Sequence, residues 1–293
     1  MARHFLTGAE LSADELDGLL TRALELKAAP LHSEVLAGRS VALIFHKPST
    51  RTRVSFETGI HELRGHPMVL REDDLQVTRG ETIRDTAYVL SRHVAAIGIR
   101  TGLHATVEEF GHHATVPVIN MLTGDHHPTQ VLADLMTLRE AFGHLEGLTL
   151  AYVGDGNNMA RSLAILGAMA GVSVRIAAPP PFQLDRPVAR AELTDDPAAA
   201  VAGADAIYTD VWVSMNHDPQ TAADRRRALA PYQLDDALLD RAAPHAIALH
   251  CLPAHPGEEI TAEVLYGPRQ RIWDQAENRR HAQKALLEFL VPA

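Results

Sequence analysis

The sequence has little cysteine and no long apolar run, and each absence excludes a class of protein. Cys251 is the only cysteine among 293 residues, so neither an intramolecular disulfide framework nor a cysteine-based zinc finger can form. No stretch of about 18 apolar residues occurs, and we expect no membrane span and no membrane partner. The beginning, MARHFLTGAELSADEL, lacks an apolar signal core. We therefore expect a soluble, cytoplasmic protein.

Positive charge is also scarce. The chain has 27 Lys and Arg but 37 Asp and Glu, which gives a net charge of −10. This balance argues against non-specific nucleic-acid binding. The 17 histidines include no HExxH or similar zinc-enzyme spacing. The segment GDGNN at 154–158 fails the GxGxxG pattern of a dinucleotide loop. We expect no metal, no organic cofactor and no nucleic-acid partner.

Strand-like and helix-like apolar patterns alternate along the chain, which favours an α/β fold of two domains, each a mostly parallel sheet flanked by helices. We place one domain at 1–130 and the other at 145–273, with bridging helices that include the C-terminal one, 274–293, packing back on the first domain. The predicted strands are 41–45, 67–70, 94–99, 116–121, 148–153, 172–177, 206–211 and 246–251. The predicted helices are 55–64, 82–92, 106–112, 131–142, 159–170 and 197–202.

The stretch HKPSTRTR, which follows the first predicted strand, puts cations at a helix start. Lys47, Arg51 and Arg53 stand where the helix dipole favours carboxylates, and the first acid is Glu57. A bound anion would remove this conflict. Phosphate fits because backbone N–H groups, hydroxyls and a guanidinium can converge on it. The alternative is a solvated basic turn.

Polar or reactive residues also follow the other main strands, where open parallel sheets bind their ligands. One set, in the first half, suits a phosphate joined to a carbonyl: Ser49, Thr50, Arg51, Thr52, Arg100, His127 and Gln130. A second set, in the second half, suits a zwitterionic amino acid with a further amine: Asn158, Asp210, Ser214 and Cys251. Ordinary structural roles are the alternative for each residue: surface charge, turn former, helix cap or core filling.

Four motifs in this order resemble the signature set of the aspartate/ornithine carbamoyltransferases. They are STRTR at 49–53, HPTQ at 127–130, DVWVSM at 210–215 and HCLP at 250–253. The similarity runs along nearly the whole chain, from HFL near its start to AENRRHAQKALL near its end. STRTR with HPxQ indicates the carbamoyl-phosphate site that the family shares. DxWxSM with HCLP indicates the ornithine branch.

The resemblance implies a role for each matching residue. The carbamoyl-phosphate site would comprise Ser49, Thr50, Arg51, Thr52, Arg100, His127, Gln130 and Arg279, with Gln76 serving a neighbouring subunit, since family members are trimers or assemblies of trimers. The ornithine site would comprise Asn158, Asp210, Ser214, Met215, Cys251 and Leu252. Arg100 and His127 would act on the carbonyl oxygen, and Asp210 and Cys251 on the attacking amine.

The activity implied is transfer of the carbamoyl group of carbamoyl phosphate to the side-chain amine of L-ornithine, which gives L-citrulline and phosphate without a cofactor. Another acceptor, such as lysine, putrescine or a modified ornithine, is the nearest alternative. Asp210 and Ser214 favour an acceptor with a free α-amino group. A non-catalytic binding protein on the same scaffold is the other alternative, and the complete phosphate set argues against it.

Two departures from the family pattern fall in the second half. Asn216 follows Met215 where the family usually has glycine, which puts the closing of the 216–228 loop and the acceptor preference in question. The stretch 178–200 is shorter than expected by roughly one helix, a loss that bears on stability, assembly or acceptor fit.

Overall fold

The protein divides into two compact units, one formed by Met1–Met136 with Glu277–Ala293 and the other by Thr137–Ala276. This description comes from a computed structural model and covers residues 2–185, 188, 191–214 and 219–292. Each unit contains one parallel sheet with flanking helices. The predicted fold class is confirmed.

The first unit has a four-stranded sheet in the order β2-β1-β3-β4, with every neighbouring pair parallel. Its strands are β1 (Ser40–Phe45), β2 (His66–Arg71), β3 (Ala96–Arg100) and β4 (Val118–Leu122). Its helices are α1 (Ala13–Ala28), α2 (Thr50–Glu62), α3 (Ile83–Leu90) and α4 (His104–His113). Phe5 covers the outer edge of β4, because its backbone exchanges hydrogen bonds with Val118 and Asn120.

The second unit has a five-stranded parallel sheet in the order β7-β6-β5-β8-β9. Its strands are β5 (Thr149–Val153), β6 (Ser173–Ala177), β7 (Ala191–Thr194), β8 (Ala206–Thr209) and β9 (Ile247–His250). Its helices are α6 (Asn158–Met169), α7 (Pro197–Val201), α8 (Ala222–Leu229), α9 (Asp236–Leu239) and α10 (Ala262–Leu265). Residues of β5, β8 and β9 join residues of α7, α9 and α10 in one apolar core cluster.

Two helices belong to both units. They are α5 (Pro128–Phe142) and α11 (Ile272–Leu290). The division falls between Met136 and Thr137 in α5, and between Ala276 and Glu277 in α11. Among the described residues no helix is both long and apolar enough to cross a membrane.

The observed elements differ from the predicted ones at several points, which include the short helices α8, α9 and α10, none of them predicted. Helix α1 was missed, although Ser12 and Glu15 form a capping box at its start and its buried leucines recur at helical spacing. Strand β7 was missed because its four residues form a partly exposed edge with no apolar run. Helix α2 begins at Thr50 rather than at residue 55. Its first turn is mostly polar and charged, so the apolar periodicity does not show it.

The stretch between β6 and β7 lies in the segment that we expect to be shorter than in family members. Its described residues include one 3₁₀ turn, Pro180–Phe182, and no α-helix within 178–185.

Each sheet reverses its strand order at one point, and parallel sheets bind ligands beyond the carboxyl ends of strands at such points. In the first sheet β1 lies between β2 and β3, and in the second β5 lies between β6 and β8. The loop before α2 follows β1, and Arg100 ends β3. The loop before α6 follows β5, and Asp210 follows β8. Part of each predicted residue set thus lies at a reversal, whereas His127 and Gln130 follow β4 and Cys251 follows β9.

The carboxyl-terminal part of α11 packs closely on α2 in the first unit. A Cβ atom at Gly59 would lie only 3.2 Å from Lys284 Cγ and 3.4 Å from the carbonyl oxygen of Arg280. The fully buried ammonium of Lys284 donates to Glu62 Oε2 at 2.5 Å and to the carbonyls of Leu26 and Pro30. Burial lowers the pKa of Lys284 despite the attraction of Glu62.

We expect Lys284→Met to lower the free energy of unfolding by about 2–4 kcal/mol, because Glu62 and two buried carbonyls lose their donor. Chemical denaturation monitored by circular dichroism measures this. Arg53→Met is the matched control on α2, since Arg53 forms an exposed i,i+4 pair with Glu57 at 2.8 Å; its effect should stay below about 0.5 kcal/mol. Equal effects of the two substitutions would contradict a special role for the buried pair.

Candidate active site

The first turn of α2 carries the residues predicted to hold phosphate. Ser49 is the N-cap, and its hydroxyl accepts from the backbone N–H of Thr52 at 3.4 Å. No acid stands in this turn. Thr50 is exposed, Arg51 is half-buried and Thr52 is fully buried. The turn therefore presents N–H groups, hydroxyls and a guanidinium without a carboxylate, which suits an anion.

His127 lies directly before α5 and is 4% exposed. Burial holds the pKa of this imidazole well below its usual value, and the charges of Arg279, Arg100 and Arg51 lower it further. His127 is therefore neutral at physiological pH. The electrostatic effect also shows that three predicted arginines, from α11, β3 and α2, act on one predicted histidine.

Two further predicted residues of this unit are buried beside polar partners. Arg279 donates from Nη2 to Thr52 Oγ1 at 2.7 Å. Gln130 donates from Nε2 to Asp134 Oδ1 at 2.8 Å, which directs its amide. Its Oε1 is buried and has no hydrogen-bond partner in the described part of the chain. A buried acceptor of this kind suits a ligand N–H group.

A cleft of about 490 Å³ lies against the loop that precedes α2. Lys47, Ser49, Thr50 and Arg53 are among the residues that line it. Arg53 also pairs with Glu57 on the helix surface. Gln76, predicted to serve a neighbouring subunit, begins an exposed 3₁₀ turn, where its side-chain oxygen accepts from Arg79 at 3.5 Å.

In the second unit the structure joins Asp210 to Cys251. The thiol of Cys251 donates to Asp210 Oδ1 at 2.9 Å, and Asn157 Nδ2 donates to Asp210 Oδ2 at 2.8 Å. Asp210 is 6% exposed. A buried carboxylate that accepts from a thiol and an amide has one defined orientation. It is suited to bind the ammonium group of a ligand.

Asn157 was not predicted as a site residue, and the structure shows why it matters. Its Oδ1 accepts from the backbone of Met159 and Ala160, as the N-cap of α6, and lies 3.1 Å from the hydroxyl of Tyr152. These bonds fix the amide so that Nδ2 points to Asp210. Asn158, the predicted residue, is the first residue of the helix and is half-buried. The GDGNN segment signalled a helix cap but not the bond to Asp210.

The HCLP segment is held by a buried pair. His250 Nε2 lies 3.1 Å from Glu259 Oε1, and Nδ1 accepts from the backbone N–H of Leu252 at 2.8 Å. Burial favours a higher pKa for Glu259, but the hydrogen bonds from His250 and from the His255 backbone outweigh it and lower the pKa. The carboxylate is therefore ionised, and it fixes the backbone on both sides of Cys251. The side chain of Leu252 packs against the core cluster.

Ligand-type atoms of Asp210, His250 and Cys251 lie within 4.8 Å of one another, and so do those of His255, Glu258 and Glu259. In the first set each of these side chains already has a hydrogen bond, either within the set or to Asn157, Glu259 or Leu252. These three side chains therefore suit a polar binding site.

Ser214 is half-buried at the end of a described range. Met215 and Asn216 lie outside the described residues, as does part of the 216–228 loop.

Family models cover both units. The model of the carbamoyl-P binding domain of aspartate/ornithine carbamoyltransferase matches residues 3–140, and that of the Asp/Orn binding domain matches residues 146–290. The chain belongs to the aspartate/ornithine carbamoyltransferase family. The resemblance drawn from the four motifs is confirmed.

Individual members of this family are similar over their full length. The ornithine carbamoyltransferase of Acidothermus cellulolyticus is 52% identical over 306 residues, covering 100% of this chain and 98% of that protein. The solved ornithine carbamoyltransferase of Thermus thermophilus has a TM-score of 0.93 at 42% identity, covering 100% of both chains. That of Pyrococcus furiosus has a TM-score of 0.94 at 44% identity, covering 99% of this chain and 97% of the other.

We expect the ring of His127 to remain neutral from pH 8 down to pH 6, because burial and three arginines lower its pKa. Two-dimensional NMR of ¹⁵N-labelled imidazoles measures this, with the His127 signals assigned by their loss in His127→Gln. Free histidine in the same buffer is the reference, with a pKa near 6.5. Imidazolium shifts at His127 above pH 6 would contradict a pKa lowered by burial and by the three arginines.

Proposed function

We propose that this protein transfers the carbamoyl group of carbamoyl phosphate to the side-chain amine of L-ornithine, with L-citrulline and phosphate as products. The observation that carries the proposal is the bond between Asp210 and Cys251, which joins the two motifs typical of the ornithine branch. The names of the similar proteins support the same acceptor.

The first unit binds carbamoyl phosphate. The N–H groups and hydroxyls of Ser49, Thr50 and Thr52 hold the phosphate together with Arg51, as the acid-free helix start favours. Neutral His127 donates a hydrogen bond to the carbonyl oxygen. The carbamoyl NH₂ group donates to the buried Oε1 of Gln130.

Arg100 and Arg279 complete this half of the site. Both guanidiniums act on His127, and Arg279 also donates to Thr52. We assign Arg100 to both the phosphate and the carbonyl oxygen, where it stabilises the charge that develops during attack. Arg279 holds the hydroxyl of Thr52 in place beside the same charge.

The second unit binds ornithine. Asp210 accepts from the α-ammonium group, with Asn158, Ser214 and Met215 assigned to the same end of the amino acid. Cys251 and Leu252 lie beside the side-chain amine. That amine must be neutral to react, whereas an alkylammonium has a pKa of about 10.4. Asp210 with Cys251 is the pair that we assign to taking up the proton that this ammonium releases before attack.

The chemical step balances without a cofactor. The amine nitrogen forms a bond to the carbonyl carbon, and the oxyanion is stabilised by Arg100 and His127. The bond from that carbon to the phosphate oxygen then breaks. The leaving phosphate takes the proton that the amine nitrogen releases.

A trimer, a cytoplasmic location and a place in arginine biosynthesis are part of the same proposal. The first unit exposes large apolar side chains on α2 and α3 and directly before α4, which suit contacts between copies of the chain: Val54, Tyr88, Val89 and Leu103. The exposed Gln76 turn is assigned to a neighbouring copy's site. Sedimentation equilibrium tests the assembly, and a monomer would refute it.

The proposal is tested by incubating the purified protein with carbamoyl phosphate and a panel of amines, and measuring the ureido product. We expect product from L-ornithine and little from putrescine or N-acetylornithine, because neither has the free α-amino acid end that Asp210 and Ser214 bind. Lysine keeps that end, so its rate tests whether the site also requires the side-chain length of ornithine. Product from another amine alone would refute ornithine as the acceptor. No product from any amine would indicate a non-catalytic binding protein.

Two arginine variants extend this assay. Arg51 lies in α2 and is assigned to phosphate, whereas Arg64 lies just beyond the end of α2 and is the control. Arg51→Ala should lower turnover by at least about 10²-fold, because a guanidinium at the transferring group is lost. Arg64→Ala should keep near-normal turnover, since its side chain is 53% exposed and lies 3.9 Å from Glu34. Near-normal turnover of Arg51→Ala would refute the phosphate assignment.

A further inference from the structure

Arg225, on α8, belongs to none of the motifs that signalled the site, yet its side chain is only 12% exposed. Its Nη2 lies 2.5 Å from Oδ2 of the buried Asp155. Its Nε donates to the carbonyl oxygen of Trp212 at 3.0 Å. Its guanidinium also lies over the ring of Phe182, 4.3 Å from the centroid. A planar, multidentate group is the only side chain that can serve three such partners at once.

These three partners come from three separate segments of the second unit. Asp155 lies in the loop after β5, Trp212 in the segment after β8, and Phe182 in the turn after β6. The first and third segments also meet at Gly156, whose N–H donates to the carbonyl of Phe182 at 2.7 Å. A Cβ at Gly156 would lie 2.6 Å from that oxygen. Arg225 therefore ties the Trp212 segment to two loops that already pack tightly against each other.

Hydrogen bonds connect the Asp155 segment to the proposed acceptor site. The hydroxyl of Tyr152 donates at 2.8 Å to the carbonyl of Asp155 and also contacts Asn157 Oδ1 at 3.1 Å. Asn157 in turn donates to Asp210, which accepts from Cys251. A displacement of the Asp155 loop would therefore reach Asp210 through one tyrosine and one asparagine.

The electrostatic effect of Arg225 on Asp155 is a second reason for its position. Burial raises the pKa of Asp155 to about 6, Arg225 opposes this rise, and Asp210 adds to it. Without Arg225, the Asp155 carboxylate would be buried near a second carboxylate with no guanidinium to offset the repulsion. It would then take up a proton or move away, and either change would disturb the loop.

We propose that Arg225 is a positioning residue for the amino-acid acceptor, acting through Asp155 and the Trp212 carbonyl on the orientation of Asn157 and Asp210. This inference rests on the proposed function, since it assigns Asp210 to the acceptor. Arg225 itself does not contact the reacting atoms.

The test compares Arg225→Met with Arg227→Met. Both residues lie on α8, but the side chain of Arg227 is 77% exposed and pairs only with Asp224 among the described contacts. Arg225→Met should raise the KM for ornithine by at least about tenfold, with the KM for carbamoyl phosphate within about twofold of wild type. Arg227→Met should leave both constants unchanged. A structural loss of folded enzyme would lower the apparent kcat alone and would not separate the two KM values.

Arg225→Lys decides the matter if the methionine variant does not fold. The lysine keeps a charge for Asp155 but cannot also reach the Trp212 carbonyl with fork geometry. We expect a KM for ornithine between those of wild type and Arg225→Met. A KM equal to wild type would show that the geometry of Arg225 is not needed, and would overturn the proposal.

Asp155→Asn separates positioning from direct binding of ornithine by Arg225. If Arg225 acts through Asp155, this substitution alone should raise the KM for ornithine. The double variant with Arg225→Met should then be little worse than the more severe single variant. Additive effects, or a normal KM in Asp155→Asn, would show that Asp155 does not transmit the effect of Arg225 and would refute the positioning role proposed here.

The wild-type reaction distinguishes failure of this inference from failure of the proposed function. Citrulline formed by the wild type, with equal KM values for wild type and Arg225→Met, would overturn this inference alone. Absence of citrulline from the wild type would overturn the proposed function and this inference with it.

Discussion

The concentration of positive charge around a buried, neutral histidine is the constraint on which the first unit depends. His127 is held neutral by burial and by the fields of Arg51, Arg100 and Arg279. These arginines come from a helix start, a strand end and the last helix, so the charge gathers only when all three elements are in place. The close approach of α11 to α2 at Gly59 is therefore part of the site as much as part of the core.

The second unit reaches a defined geometry by a different means, since hydrogen bonds rather than clustered charge orient its groups. A single amide, that of Asn157, caps α6 with its oxygen and holds Asp210 with its nitrogen. The stability of the helix start and the orientation of the carboxylate are thereby coupled. The hydrogen-bonded pair of His250 and Glu259 likewise fixes the backbone around Cys251. Such satisfied polar networks give a single arrangement.

Much of the fold and of the candidate site could be predicted from local sequence patterns. The alternation of strands and helices predicted the fold class, and polar residues at strand ends supplied the residues of the proposed site. The four motifs indicated the family. Helix α1 was not predicted, although Ser12 and Glu15 form a capping box that marks its start. Strand β7 was not, because four half-exposed edge residues leave no periodic signal.

The sequence by itself determined which residues stand at strand ends and helix starts, because those positions follow from apolar periodicity and capping, which act over a few residues. The tertiary structure decided which of these ends are neighbours. Strand order places β5 beside β8 and so brings Asn157, rather than Asn158, to Asp210. Tertiary packing also buries Arg225 of the segment DRRR at 224–227, while Arg227 stays exposed. Periodicity reports that a face is buried but not what it is buried against, and long-range packing supplies that choice.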